Sequence, residues 1–220
     1  SYDVVVSSGA GCGAPFTSAA ATLTIDTSPV ITVHPVTQTI CEGGPVTFTV
    51  TATGTGLTYQ WRKNGINILG ATASSYNIAA TVTGDAGIYT VMVSGTCSPP
   101  ATSNGATLTI QETPEVTADP VSQTVCEGSA VTFTVNAGAT TSPTYQWRKG
   151  GVNILGETGS SYTIATTVAA DAGSYDVVVS SGAGCGAPFT SAAATLTIDT
   201  SPVITVHPVT QTICEGGPVT

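Results

Sequence analysis

An exact internal repeat constrains the fold of this sequence more than any other feature. Residues 1–47 return letter for letter as residues 174–220, so the chain has a period of 173 residues. A looser repeat lies inside that period. TYQWRKNGINILG from Thr58 matches TYQWRKGGVNILG from Thr144, and DAGIYTVMV from Asp85 matches DAGSYDVVV from Asp171. Repetition on this scale indicates an array of similar modules along the chain.

Two related but unequal modules, A and B, alternate in this array. Each boundary contains a proline, which stiffens a linker of only a few residues. We therefore expect a linear rod of modules. The predicted segments are the end of a B module at 1–27, a complete A module at 28–112, a complete B module at 113–200, and the start of the next A module at 201–220.

The residue pattern within a module predicts an all-β fold. VTFTVTA at 46–52 alternates apolar and polar residues, as a half-buried strand does. Asn64-Gly65 divides TYQWRKNGINIL into a predicted hairpin. Each module would hold roughly seven strands in about 86 residues, which is typical of a β-sandwich.

Two motifs occur in both modules. One is a tryptophan in TYQWRK, which is Trp61 in A and Trp147 in B. The other is D-x-G-x-Y, with Asp85 and Tyr89 in A, and Asp171 and Tyr175 in B. These motifs give the whole chain a resemblance to immunoglobulin-like domains, and more narrowly to the tandem repeats of giant surface proteins, adhesins and filaments of Bacteroidota. The resemblance places the tryptophans in strand C and implies a tyrosine corner with structural aspartates before strand F.

One departure from the family pattern concerns the disulfide between the two sheets. The positions that would hold its cysteines are valines in both modules. We therefore expect apolar packing alone to close the cores. These valines are Val50 and Val91 in A, and Val135 and Val177 in B.

The six cysteines occur singly, which favours disulfides in an oxidising, extracellular setting. The resemblance places Cys41 and Cys126 at A–B turns, and Cys97 and Cys185 in F–G loops. In an immunoglobulin sandwich, the A–B turn and the F–G loop lie at opposite ends of the module. Their cysteines would be farther apart than the roughly 7 Å between Cα atoms that a disulfide allows.

The preferred pairing is therefore between modules, Cys41 with Cys185. Cys97 and Cys126, like Cys12 and Cys214, would then pair with modules outside these 220 residues. The alternative is two bridges within modules, Cys41–Cys97 and Cys126–Cys185.

Charge and hydropathy exclude several function classes. The net charge is −9, with only four basic residues, so a nucleic-acid partner is not expected. No apolar run reaches the length of a membrane span. His34 and His207 are one position repeated, and no catalytic set can be assembled around them. We expect no enzymatic activity and no cofactor.

Two other kinds of site are also disfavoured by the sequence. Glu112, Glu115 and Asp119 cluster at one module junction, where calcium would need oxygen ligands. The other junction type offers only Asp199, so solvated acids are the favoured interpretation. Lys63 and Lys149 flank hairpin turns, which disfavours a buried isopeptide crosslink.

The sequence thus predicts a secreted, structural repeat segment of an extracellular filament, stalk or adhesin shaft. Its partners would be neighbouring copies of the repeat, along the chain or side by side. The alternative is an adhesin module that binds a ligand or glycan through its F–G and B–C loops.

Overall fold

The chain is all-β and consists of two compact units. A computed structural model of the protein describes residues 1–9 and 13–216. The first unit is Ser1–Gln111, and the second begins at Glu112. No α-helix occurs in the described ranges, where strands are joined by turns and two short 3-10 turns. The predicted all-β, tandem sandwich class is confirmed.

Residues 1–9 and 13–27 contain two short strands that precede module A, and ten strands build the module itself. The leading strands are β1 (Val5–Val6) and β2 (Phe16–Thr17). The strands of module A are β3 (Val30–Val33), β4 (Gln38–Cys41), β5 (Val46–Thr49), β6 (Thr51–Thr53), β7 (Thr58–Lys63), β8 (Ile66–Asn67), β9 (Ser75–Ile78), β10 (Gly87–Ser94), β11 (Ala101–Thr102) and β12 (Ala106–Gln111).

Module A folds as one six-stranded sheet and two separate pairs of strands. The six-stranded sheet has the order β4-β12-β10-β7-β8, with β11 also paired to β10. Opposite it, β5 pairs with β9, and β3 pairs with β6. Strand β4 lies parallel to β12, whereas the other pairs are antiparallel. The predicted turn is present, because Asn64 and Gly65 both adopt positive φ between β7 and β8.

Module B repeats this arrangement with fewer short strands. Its larger sheet has the order β13-β20-β18-β15-β16, with β19 on β18, and β14 pairs with β17 opposite it. The strands are β13 (Gln123–Cys126), β14 (Val131–Thr134), β15 (Pro143–Lys149), β16 (Val152–Asn153), β17 (Ser161–Ile164), β18 (Gly173–Ser181), β19 (Phe189–Thr190) and β20 (Ala194–Asp199).

Each module encloses its own apolar core between its larger sheet and the paired strands opposite it. Trp61 is completely buried in A, as is Trp147 in B. In A, Phe48 stacks on Tyr89 with ring centroids 4.6 Å apart, and the equivalent rings in B are 5.0 Å apart. The positions of the missing sheet-to-sheet disulfide are buried valines. They are Val50, Val91, Val135 and Val177.

The segments before and after the two complete modules differ in whether they form strands. In the leading segment, Val5 pairs with Thr17, the same register that joins Val178 to Thr190 in module B. The trailing segment, expected to form the first strands of another A module, has no strand in residues 201–216. Its identical copy at 28–43 forms β3 and β4 only by pairing with β6 and β12.

Candidate functional site

Each complete module carries one cysteine beside the residue where the chain leaves it. The parallel register places Cys41 opposite Gln111, the last residue of β12. In module B, Cys126 lies opposite Asp199, the last residue of β20. The A–B turn of each module is therefore at its C-terminal end, as the resemblance implied.

A buried threonine holds this turn in both modules. The Thr81 hydroxyl donates to the Gly44 carbonyl over 3.0 Å, and the Gly43 amide donates to the Thr81 carbonyl over 2.7 Å. Thr167 does the same in module B and, like Thr81, is fully buried. The sequence analysis missed this residue. A threonine at the same position in both modules was the available signal.

The chain enters module A along its B–C and F–G loops. The Thr27 amide donates to Thr55 Oγ1 over 3.1 Å, and the Thr55 amide donates back to the Thr27 carbonyl. Ser28 Oγ donates to the Ser98 carbonyl over 3.0 Å. Cys97 precedes Ser98, so the F–G cysteine of A is adjacent to a residue that binds the entering chain.

Module B holds its entering chain by equivalent contacts. The Glu112 amide donates to Thr141 Oγ1 over 2.7 Å, and the Glu115 amide donates to Thr140 Oγ1 over 3.0 Å. A Cβ added to Gly186 would meet Thr113 side-chain atoms at 3.0 Å, so the F–G loop packs closely on the linker. Cys185 is therefore next in sequence to a residue that contacts the entering chain.

The cysteines differ in oxidation state. Cys41 and Cys185 are disulfide-bonded. Cys97, Cys126 and Cys214 carry free thiols. Cys12 lies outside the described residues. Because Cys97 and Cys126 are both reduced, the alternative with bridges inside each module is not formed in this structure.

The tyrosine corner is present in both modules. The Tyr89 hydroxyl donates to the Asp85 carbonyl over 2.8 Å, and the Tyr175 hydroxyl donates to the Asp171 carbonyl over 2.7 Å. Burial raises the pKa of Tyr89 to about 12, and the charge of Asp85 adds to the shift. Burial likewise raises the pKa of Tyr175 to about 12.

The aspartates of this corner cap the short 3-10 turns that they belong to. Asp85 Oδ2 accepts a hydrogen bond from the Val82 amide over 2.9 Å, so it caps its own 3-10 turn. Asp171 does the same for Val168. Arg62 donates to Asn67, and Arg148 forms an ion pair with Asp176 over 2.6 Å. The local cap satisfies the carboxylate without an arginine.

The repeated histidine position has a structural role. His34 Nδ1 accepts a hydrogen bond from the Asn104 amide over 3.1 Å. In module B, Asp119 Oδ1 accepts from the Ala192 amide over 2.8 Å at the equivalent place. Both side chains therefore accept a hydrogen bond from a backbone amide just before the last strand of their module. His207 is solvent-exposed.

Most side chains that the sequence offered for a metal site or a crosslink form hydrogen bonds within their own module. Glu115 Oε1 accepts a hydrogen bond from the Ala139 amide, whereas Asp119 binds Ala192. No group of three or more His, Cys, Asp or Glu side chains in the described part of the chain could hold a metal ion. Lys63 and Lys149 each donate to a carbonyl of the adjacent 3-10 turn.

The loops of the alternative binding site offer few exposed aromatic rings. Tyr59 and Tyr145 pack against the two cores. Phe189, after the F–G loop of B, is 46% exposed. A shallow depression of about 300 Å³ in module A is lined by residues between Leu69 and Asn77, none of which belongs to either loop. Within residues 1–9 and 13–216, no helix is long and apolar enough to cross a membrane.

The fold and the modular ends define a tandem array of β-sandwich domains. The immunoglobulin domain family matches residues 28–95 and 113–181, one match in each complete module. The chain belongs to this family.

Two curated relatives share part of the sequence. Endoglucanase C of Cellulomonas fimi is 33% identical over 109 residues, which are 47% of this chain and 10% of that protein. The decoration protein of Escherichia phage T5 is 48% identical over 59 residues, covering 26% of this chain and 36% of that protein. The chain thus spans only a minor part of either relative.

Solved structures of tandem immunoglobulin domains share the fold. The I-band fragment I67-I69 from titin aligns with a TM-score of 0.62 and 21% identity, covering 79% of this chain and 66% of the fragment. The IG1+IG2 fragment of DIP-gamma aligns with a TM-score of 0.62 and 15% identity, covering 77% of this chain and 97% of that fragment.

Proposed function

We propose that this chain is a structural repeat segment of an extracellular bacterial filament, stalk or adhesin shaft, of the kind found in giant surface proteins of Bacteroidota. It has no enzymatic role in this proposal. The observation that carries it is the placement of cysteines in both modules, one at the end where the chain leaves and one in a loop beside the entering chain. This placement suits covalent links between successive modules.

The pairing that we propose within this chain is Cys41 with Cys185. Cys41 lies beside Gln111, and the F–G loop that carries Cys185 packs on Thr113. Gln111 and Thr113 are two residues apart, a distance of about 7 Å in extended chain. Only this short linker separates the two positions along the chain. Their disulfide-bonded state supports this pairing.

The remaining cysteines fit the same scheme. Cys126 is at the leaving end of module B, and Cys97 is in the F–G loop of module A. In the proposal they pair with adjacent repeats, as do Cys12 and Cys214. Partners for these thiols would be further copies of the 173-residue repeat. Disulfides of this kind persist in oxidising surroundings, which supports a place outside the cell.

Peptide mapping tests the pairing directly. The oxidised chain is digested without reductant, after free thiols are blocked, and its linked peptides are identified by mass spectrometry. We expect a peptide pair joining Cys41 to Cys185, and blocked thiols at Cys97 and Cys126. Recovery of Cys41 linked to Cys97 would overturn the pairing.

Immunoelectron microscopy tests the structural role against ligand binding. Antibodies against the chain should label surface filaments of the source cells along their whole length. Label confined to filament tips, together with retention of the chain on a glycan array, would instead support an adhesin module that binds through its loops.

A further inference from the structure

We propose that the link between Cys41 and Cys185 removes mechanical tension from the cores of both modules. This inference rests on the pairing proposed above. A disulfide between these residues closes a covalent loop of residues 42–184. When the two ends of the chain are pulled apart, force passes through the disulfide, and the chain inside the loop carries none of it.

The loop contains most of both sandwiches. In module A it holds every strand from β5 to β12, and in module B every strand from β13 to β18. The buried pairs Phe48–Trp61 and Phe133–Trp147 belong to it. Unfolding either core therefore cannot lengthen the molecule while the disulfide is intact.

The segments left outside the loop are already extended. In module A the force enters along β3 and β4, which run from Val30 to Cys41. In module B it leaves along β19 and β20, between Cys185 and Asp199. Strands rise about 3.3 Å per residue, close to the limit of roughly 3.3–3.6 Å for a stretched chain. The force-bearing path therefore contains little spare length.

The contacts of β4 also resist its displacement. Four consecutive residues, Gln38 to Cys41, pair in parallel with Leu108 to Gln111. Force enters β4 at one end and leaves through Cys41 at the other, so the strand stays taut and its pairing with β12 keeps its register. A linked pair of modules is thus stiff in oxidising conditions, and reduction makes it extensible by roughly 140 residues, or about 480 Å.

Single-molecule force spectroscopy tests this inference. The 220-residue chain is held by handles at its two ends, with and without reductant. In reductant we expect two unfolding steps of similar size that together lengthen the chain by about 480 Å, the extended length of roughly 140 residues. The oxidised chain should show neither step. The segments before Thr27 and after Asp199 lengthen equally in the oxidised and the reduced chain. Their contribution therefore cancels when the two extensions are subtracted.

Matched variants separate the disulfide from other effects of reductant. Cys41→Ser and Cys185→Ser should each restore both steps without reductant, whereas Cys126→Ser should behave as the wild-type chain. Lengthening of the oxidised chain by more than about 60 Å, close to twenty extended residues, beyond that of the segments before Thr27 and after Asp199, would overturn the inference if the same sample yields the linked peptide. Absence of that peptide would instead overturn the pairing itself.

Discussion

At the scale of single residues, the same hydrogen bonds recur in both modules even where the side chain differs. Tyr89 and Tyr175 each donate to the aspartate carbonyl four residues earlier. His34 and Asp119 accept equivalent backbone amides with different chemical groups. The fold requires an acceptor at that place, which several side chains supply.

The corner tyrosines should make stability fall at alkaline pH. Their pKa is raised from 10.0 to about 12 in the folded chain, so the folded state favours the protonated hydroxyl. This contribution is complete below pH 10 and is lost as the pH rises towards 12. The urea midpoint, followed by tryptophan fluorescence, should decrease across that interval. The decrease should be smaller in the Tyr89→Phe, Tyr175→Phe variant, and an equal decrease would contradict the assignment.

The histidine position should accept aspartate. His34→Asp keeps an acceptor for the Asn104 amide, as Asp119 does for Ala192, so stability should change by less than about 0.5 kcal/mol. His34→Ala leaves the amide without this partner and should cost about 1 kcal/mol. Urea unfolding of module A measures both. A loss for His34→Asp as large as that for His34→Ala would show that the imidazole itself is needed.

At the scale of elements, the exact repeat shows which strands are encoded locally. The F–G hairpin keeps one register in two settings, since Val6 pairs with Phe16 as Val179 pairs with Phe189. The first strands of module A form at 28–43 and are absent at 201–216, although the residues are identical. Their formation therefore depends on contacts with distant strands.

Extending the chain should turn the trailing segment into strands. If a copy of residues 48–112 is added after Thr220, Gln211 to Cys214 gain a parallel partner equivalent to β12. Hydrogen exchange should then slow at these amides by more than tenfold, because they enter a sheet ladder. A matched extension by the same residues in scrambled order is the control. Equal exchange in both extended chains would contradict the dependence on β12.

At the scale of the whole molecule, the cores should not need disulfides. Val50 and Val91 fill the places of the disulfide between sheets, and both are buried. A chain with all six cysteines replaced by serine should keep both modules folded, with near-wild-type circular dichroism and cooperative unfolding. Reduced wild type is the matched control. Loss of β-structure in the serine chain alone would point to packing by buried Cys185 rather than to the bond.

Features of the fold that follow from a periodic residue pattern or from local turn chemistry could be predicted from the sequence. Repetition and alternation gave the sandwich class, and Asn64-Gly65 gave its hairpin. The capping role of the aspartates was not predicted, because the D-x-G-x-Y motif identifies these residues but not the backbone amide that binds the carboxylate. Thr81 and Thr55 were missed, since a single hydroxyl that fixes a turn or a linker lies outside the alternating pattern by which strands are predicted.

The hydrogen bonds made by the residues that enter each module set the boundaries of a gene segment that encodes a complete module. Thr27 and Ser28 bind loops of the module that follows them, as Glu112 and Glu115 do in the next one. A gene segment that began at Val30 would leave those loop hydroxyls and carbonyls without their partners. In a gene duplication or an engineered library of modules, the boundary must therefore lie upstream of each linker. Each copied module then carries the linker residues that bind its own loops.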